Sequence, residues 1–244
     1  MARFYVEDKL DNLNYLVELS KTVIAHLQAL RIKLGADIEL FNGDGFSYRA
    51  NLVTLEKNKA IVRIIDQLDN KTHDTLNIHL AMALITNDKM DLVIKQATEL
   101  GVSRITPIIS ERTQQTHSER MEKKLTRWQN IIISCCEQCG QNIIPTLTPI
   151  NTFEYFINNH NANNSANVIL SPRQCNIDKN ISLKQHSNFT LLVGPEGGFS
   201  FTELAMAIKN SFVPLTMGNL VMRAETASIA GIISIYTKFS NWIH

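Results

Sequence analysis

Residues 191–203 read Leu-Leu-Val-Gly-Pro-Glu-Gly-Gly-Phe-Ser-Phe-Thr-Glu, an apolar run that leads through a glycine-rich turn into a helix start. The run predicts a buried strand, and Ser200 followed by Glu203 has the spacing of a helix-capping box. A strand, a glycine turn and a helix N-terminus allow a ligand to approach bare backbone. The stretch contains neither Gly-Lys-Ser/Thr nor Gly-x-Gly-x-x-Gly, and Glu196 would repel a phosphate, so the turn favours a cationic ligand. An ordinary strand-to-helix connection is the alternative.

The chain around this turn alternates between strand and helix patterns from about residue 76 onward. Strands are predicted at 78–85, 102–109, 168–170, 189–193 and 213–217, and helices at 88–100, 119–139, 202–209 and 226–239. Such alternation is typical of a mostly parallel sheet with helices on both faces. The fold class is therefore α/β for this part of the chain.

A second turn follows the strand predicted at 213–217. Residues 215–227 read Leu-Thr-Met-Gly-Asn-Leu-Val-Met-Arg-Ala-Glu-Thr-Ala, so the strand ends near Gly218 and a helix begins near Glu225. Open α/β sheets bind ligands at the carboxyl ends of their strands, where Arg223 would stand beside Glu225. A surface ion pair between these two side chains is the alternative.

Residues 1–72 follow a different pattern of short alternating strands, predicted at 37–42, 48–55 and 60–65, with one helix at 21–30. This pattern is typical of a small antiparallel sheet or barrel. We place the domain boundary near residue 72, which gives domains 1–72 and 73–244. The asparagine-rich stretch 158–167 is predicted to be a surface loop.

Composition bounds the function only weakly. The chain of 244 residues is 44% hydrophobic and 19% charged, with a net charge of +1. A nucleic-acid partner usually goes with a basic surface, so the charge argues mildly against one. No apolar run reaches the length of a membrane span, and the first eight residues do not resemble a signal peptide. No membrane association is expected, and the cytoplasm is the expected location.

Four cysteines include the pair Cys136 and Cys139, which forms a Cys-x-x-Cys sequence inside the predicted helix 119–139. A redox or zinc pair is one interpretation. A zinc site would need further ligands, and a redox pair belongs at a helix N-terminus. Soft side chains sharing one helix face are therefore the favoured interpretation, and no metal is expected.

The two glycine turns and several upstream motifs together resemble the 16S ribosomal RNA uracil-N3 methyltransferase family of the SPOUT class. The upstream motifs are Asp88-Lys-Met-Asp91, Ala97-Thr-Glu-Leu-Gly-Val102, Ser110-Glu-Arg112, Arg127-Trp-Gln129, Glu137-Gln-Cys-Gly140 and Pro145. The amino-terminal motifs are His26-Leu27, Leu30-Arg31, Ile38-Glu-Leu-Phe41 and Gly43-Asp-Gly45. The resemblance extends from residue 3 to about 238 and depends on the order and spacing of the motifs.

The resemblance implies a PUA-like N-terminal β-barrel and a C-terminal SPOUT α/β domain with a trefoil knot. It implies a homodimer that uses S-adenosyl-L-methionine to methylate N3 of one uridine in 16S rRNA. The assembled small subunit is the expected substrate, and free 16S rRNA is the alternative. The implied cofactor residues are Leu170, Ser171, Val193, Gly194, Pro195, Glu196, Gly197, Gly198, Met217, Gly218, Asn219, Leu220, Val221, Met222, Glu225 and Thr226. The chain departs from the family pattern at Gln28, Thr86, Ile143, Leu220 and Ala224.

Two side chains are candidates for catalysis. N3 of uracil must lose a proton before it can accept a methyl group. Arg223 is the candidate that stabilises the resulting anion. Glu196 is the candidate general base, or the group that contacts the sulfonium electrostatically. The candidate RNA contacts are Arg3, Arg31, Arg49, Arg112, Arg120, Lys124 and Arg127.

Two other functions stay open on the sequence. The missing basic positions are compatible with an inactive RNA-binding paralogue of the methyltransferases. The glycine turns alone are compatible with a regulatory module that binds a nucleotide without chemistry.

Overall fold

The structure is a computed structural model that describes residues 1–10, 13–68, 76–114, 121–160, 165–171 and 187–239. It divides into two compact units, of which the first contains residues 1–73 and 133–144 and the second contains 74–132 and 145–244. The boundary predicted near residue 72 lies outside the described residues. Within them, no helix is both long and apolar enough to cross a membrane.

The first unit is built on a five-stranded sheet in the order β1-β3-β4-β5-β2. Its elements are β1 (Arg3–Tyr5), β2 (Leu16–Glu18), α1 (Lys21–Ala29), β3 (Asp37–Phe41), β4 (Ser47–Leu55) and β5 (Ala60–Leu68). All pairs are antiparallel except β1 with β3. The pairing of β4 with β5 shifts register after Arg49 and after Leu52, as it does at a β-bulge. The predicted small antiparallel sheet is confirmed as a curled sheet around one apolar core.

The second unit contains a seven-stranded sheet in which every pair is parallel. Its strands are β6 (Asn77–Ala83), β7 (Arg104–Ile109), β8 (Thr146–Leu147), β9 (Asn151–Thr152), β10 (Ala166–Leu170), β11 (Asn188–Val193) and β12 (Val213–Leu215). The order is β12-β10-β11-β6-β7-β8, with β9 also paired to β7. The predicted parallel sheet is thus confirmed, and the trefoil knot stays a prediction.

Helices cover both faces of this sheet. They are α2 (Asn87–Glu99), α4 (Phe153–Asn159), α5 (Phe201–Lys209) and α6 (Ala224–Phe239). Helix α3 (Met121–Cys139) begins in the second unit, and its residues from 133 onward belong to the first unit. Ala81, Ile169 and Leu192 pack with side chains of α4 and α5. Leu191 faces the other way and lies against Gly231 of α6. Because successive strand residues point to opposite faces, the apolar strands bury both sides.

The loop predicted at 158–167 is partly wrong. Asn159 belongs to α4, residues 161–164 lie outside the described residues, and Asn167 is buried in β10 at 3% exposure. The side-chain oxygen of Asn167 lies 2.8 Å from Nε2 of His160. A hydrogen-bond partner therefore lets an asparagine occupy the core.

The Cys-x-x-Cys sequence lies in the last turn of α3, with Cys136 fully buried and Cys139 exposed. Burial, with smaller contributions from Cys139 and Cys135, raises the pKa of the Cys136 thiol to about 12. A thiol with so high a pKa forms little thiolate at neutral pH and is a poor nucleophile and metal ligand. Among the described residues, no cluster of histidine, cysteine and carboxylate side chains could hold a metal. Both cysteines lie at the carboxyl end of α3 rather than at its N-terminus.

We expect iodoacetamide at neutral pH to alkylate Cys139 in the native protein and to leave Cys136 unlabelled, because only the first thiol is exposed. Peptide mass mapping separates the two sites, and both should react once the protein is unfolded in guanidinium. Rapid native labelling of Cys136 would contradict this assignment.

Acid is expected to destabilise the second unit through His79. Burial, then the positive charge of Arg104 and the ring of His160, lower the pKa of His79 from 6.5 to about 3. Between these values the unfolded chain binds a proton that the folded chain does not. The free energy of unfolding should therefore fall as the pH drops from about 6.5 toward 3, by up to about 1.4 kcal/mol per pH unit. Urea titrations at several pH values measure the slope of unfolding free energy against pH, and His79→Asn should flatten it. An unchanged slope in that variant would show that His79 is not the cause.

Candidate active site

Three loops meet at the carboxyl edge of the parallel sheet. Ser171 follows β10, residues 194–200 follow β11, and residues 216–223 follow β12. The strands are in register, with Ile169 beside Leu192 and Leu170 beside Leu215, so their carboxyl ends lie side by side. This edge is where open α/β sheets bind ligands.

The three loops enclose a first cavity with an empty volume of about 610 Å³, including the part open to solvent. Its lining residues are Leu170, Ser171, Val193, Gly194, Pro195, Glu196, Gly198, Leu215, Met217, Leu220, Val221, Met222, Ala224 and Ala227. Most of the side chains are apolar, and Glu196 is the one charged residue among these. A ligand with phosphates would meet no cation on this wall, whereas an uncharged or cationic ligand meets apolar surface, backbone and one carboxylate.

The structure brings together eleven of the residues predicted to bind the cofactor. The others, Gly197, Gly218, Asn219, Glu225 and Thr226, do not line the first cavity. Leu215, Ala224 and Ala227 line it and were not predicted. Leu215 ends β12, and the two alanines lie in the first turn of α6, so all three flank the loop that the sequence indicated.

The turn at 194–198 depends on glycine at two positions. A Cβ atom added to Gly194 would lie 3.2 Å from both the ring and the backbone nitrogen of Phe199. Gly198 has φ +66°, a left-handed conformation that other residues adopt at a cost. The turn therefore folds back on itself tightly, which leaves its backbone as the wall of the cavity.

An ionic cluster stands beside the first cavity. Nζ of Lys89 on α2 lies 3.2 Å from Glu196 and 4.0 Å from Glu225 at the start of α6. Oε2 of Glu225 is buried and has no hydrogen-bond partner within the described part of the chain. One cation between two carboxylates leaves a net negative charge, which attracts a cationic group. Lys89 was not among the predicted site residues, although the motif Asp88-Lys-Met-Asp91 contains it.

Glu203 ties two loops together. Its Oε2 accepts from the backbone nitrogen of Ser200 at 2.9 Å, which completes the predicted capping box. Its Oε1 accepts from the backbone nitrogen of Glu111 at 2.8 Å. Nη1 of Arg112 then donates to the carbonyl of Gly197 at 2.8 Å. The segment after β7 is thereby fixed against the turn after β11.

A second cavity adjoins the first and has an empty volume of about 790 Å³, again including its open part. Its lining residues are Arg112, Leu170, Ser171, Glu196, Gly197, Gly198, Phe199, Ser200, Phe201, Leu204 and Val221. Glu196 therefore lies on the walls of both cavities.

The basic residues predicted to act at the site have different surroundings. Arg223 is exposed and lines neither cavity, and Glu225 pairs with Lys89 instead of Arg223. Arg127 pairs with Asp91, whose Oδ1 also accepts from Nε1 of buried Trp128 at 3.1 Å.

Arg31 is exposed. Lys124 is half-buried, and Arg49 pairs with Asp66 at 2.7 Å. Arg120 lies outside the described residues. These positions stay predictions for RNA contact.

Arg3 is held by the protein itself. Its guanidinium pairs with Glu39 at 2.7 Å, donates to Asn142 and to the carbonyl of Gln141, and lies 4.3 Å from the ring centre of Phe41. The Arg3 side chain is 9% exposed. Because these groups occupy the guanidinium, the predicted RNA contact gains no support from this geometry.

Comparisons with known proteins identify the family. Residues 72–235 match a family described as an RNA methyltransferase domain, and residues 19–65 match an RNA methyltransferase PUA domain. The ribosomal RNA small subunit methyltransferase E of Buchnera aphidicola (subsp. Acyrthosiphon pisum) is 31% identical over 245 residues, covering 99% of this chain and 95% of the relative. This chain belongs to that methyltransferase family. The confirmed PUA assignment accounts for the curled sheet of the first unit.

Solved structures of relatives agree with this membership. The ribosomal RNA small subunit methyltransferase E of Neisseria gonorrhoeae bound to S-adenosyl methionine matches with a TM-score of 0.92 and 32% identity over 100% of both chains. A putative methyltransferase of Legionella pneumophila in complex with the same cofactor matches with a TM-score of 0.90 and 34% identity over 98% of both chains.

Proposed function

We propose that this chain transfers a methyl group from S-adenosyl-L-methionine to N3 of one uridine in 16S rRNA, as a homodimer acting on the assembled small subunit in the cytoplasm. Membership of the family supports rRNA methylation, and the solved relatives contain this cofactor. The observation that carries the proposal for this chain is the first cavity, whose wall is apolar and backbone-rich with one carboxylate and no cation among its described lining residues.

The residues of the first cavity fit the chemistry of this cofactor. An adenosyl group offers a flat apolar ring and polar edges, which apolar side chains and exposed backbone can hold without a phosphate site. When bound, the cofactor supplies a methyl group on a positively charged sulfur. Glu196 on the cavity wall, with Glu225 and Lys89 behind it, gives this region a net negative charge that favours the cation.

Side chains of the protein then position the uracil ring and remove its N3 proton. Methyl transfer to N3 is a direct displacement, so positioning the uracil ring contributes much of the rate. The N3 proton must leave, and a cation close to the ring stabilises the resulting anion. Arg223, the exposed last residue of the 216–223 loop, is the proposed cation. It lines neither cavity, so this role requires its side chain to turn toward the ring once the uridine is bound. Glu196 is the proposed acceptor of the proton.

The inactive-paralogue and nucleotide-module alternatives are tested with the cofactor and the product. Calorimetry should show that S-adenosyl-L-methionine binds and that ATP does not compete, because the first cavity has no cation on its described wall. Nucleosides from treated small subunits should include new 3-methyluridine. Competition by ATP would favour a nucleotide module, and cofactor binding without any methylated nucleoside would favour an inactive paralogue.

Arg223→Ala is expected to lower single-turnover methylation at least about tenfold, while the dissociation constant of the cofactor changes less than about threefold. Arg104→Ala, which removes an exposed arginine at the start of β7, at the amino-terminal edge of the same sheet, is the matched control and should leave both unchanged. Equal losses of rate and cofactor affinity in Arg223→Ala would refute the role of Arg223 as an anion stabiliser.

A further inference from the structure

The second cavity shares Leu170, Ser171, Glu196, Gly198 and Val221 with the first. The two cavities are therefore neighbours across one wall rather than separate features of the surface. A group bound in the first cavity can react only with an acceptor that lies in contact with it. The second cavity is the adjoining space in which such an acceptor can lie.

The second cavity has the chemistry of a nucleobase site. Phe201, at the first position of α5, lines it and is 72% exposed. Arg112 lines it as well, and a guanidinium has five N–H donors, of which the bond to Gly197 uses one. Proteins that act on a base in RNA take it out of the stack, place it against an aromatic ring and bond its edge.

The backbone segments that carry these two side chains are joined by hydrogen bonds to Glu203. Phe201 follows the capping residue Ser200, and Arg112 follows Glu111, whose backbone nitrogen donates to Glu203. Because Glu203 binds both segments, the aromatic ring and the guanidinium are carried by backbone that is fixed to one carboxylate.

We propose that the second cavity is the subsite for the target uracil, with Phe201 as its stacking platform and Arg112 as the donor to a carbonyl beside N3. This assignment rests on the proposed function, because it takes a ribosomal uridine as the acceptor. Glu196, on the shared wall, then lies between the base and the methyl donor.

Phe201→Ala tests the platform. Loss of base stacking costs about 1–3 kcal/mol, which corresponds to about a 5- to 150-fold rise in KM for the RNA substrate. The dissociation constant of S-adenosyl-L-methionine, measured by calorimetry, should stay within about twofold of the wild-type value. Phe201→Tyr keeps an aromatic face and should restore the wild-type KM.

Tyr155→Ala is the matched control, since Tyr155 is also an exposed aromatic residue in the first turn of a helix, at 58% exposure on α4. It should leave KM and kcat unchanged. The proposal is overturned if Phe201→Ala has the wild-type KM, if it weakens cofactor binding as much as RNA binding, or if sedimentation shows that it only dissociates a dimer.

Wild-type protein assayed in parallel distinguishes failure of the proposed function from failure of the subsite assignment. If the wild type methylates no ribosomal RNA, the proposed function fails and the subsite assignment fails with it. If the wild type is active and Phe201→Ala equals it, the subsite assignment alone is wrong.

Discussion

Gly194→Ala is expected to weaken S-adenosyl-L-methionine binding about 5- to 150-fold and to lower methyl transfer by at least as much. The new Cβ would lie 3.2 Å from the backbone nitrogen of Phe199 and 3.3 Å from the carbonyl carbon of Gly198. Backbone atoms have to move to relieve this contact, and overpacking of this kind costs about 1–3 kcal/mol. The displaced atoms belong to the turn whose backbone lines the first cavity. Isothermal titration calorimetry measures the loss.

Gly35→Ala is the control, because it introduces backbone strain at a glycine that does not line the first cavity. Gly35 has φ +81° and open space around its Cα, so alanine there should lower the unfolding free energy by about 1 kcal/mol and leave cofactor affinity unchanged. Unchanged affinity in Gly194→Ala would mean that the turn does not hold the cofactor.

Glu203→Ala is expected to lower the free energy of unfolding by about 3 kcal/mol and to reduce methyl transfer. Glu203 is 7% exposed, and its carboxylate accepts from the backbone nitrogens of Ser200 and Glu111. The buried nitrogen of Ser200 left without a partner costs about 1–3 kcal/mol, and loss of the bond to the exposed Glu111 adds a smaller amount. Its removal also releases the 110–112 segment from the glycine turn, which loosens the shared wall of the two cavities. Urea unfolding and a methylation assay measure the two effects.

Glu154→Ala provides the comparison for Glu203→Ala. Glu154 is an exposed acidic residue in the first turn of α4, so its loss should change stability by less than about 0.5 kcal/mol. Glu203→Gln keeps one acceptor oxygen and should fall between the two. A Glu203→Ala variant as stable as Glu154→Ala would show that the tie between the loops contributes nothing.

Much of the second unit follows from local sequence. Strands β6, β7, β10 and β11 are short apolar runs between polar or glycine boundaries, and their length and boundaries favour buried strands over helix segments. The capping box at Ser200 and the glycines at 194–198 indicated one loop of the candidate site, and the family resemblance implied its role in binding the cofactor. The second loop was found in the same way, from Gly218 at the end of a strand.

Other features depend on contacts between distant residues. The two-residue strands β8 and β9 are too short to show a period, and the seven residues of α4 precede an asparagine-rich stretch that indicated a loop. Arg3 reaches Glu39 because β1 pairs parallel with β3 and sets the two residues opposite each other. No local pattern indicates that pairing. The position of Lys89 between Glu196 and Glu225 likewise requires three elements to be assembled.

Transfer of labelled methyl groups from S-adenosyl-L-methionine to small ribosomal subunits that lack uridine N3 methylation tests the central claim most directly, with free 16S rRNA assayed in parallel. We expect about one methyl group per subunit, located at N3 of a single uridine, and strongly reduced incorporation with Gly194→Ala. Cofactor binding with no incorporation into subunits or free rRNA would contradict it.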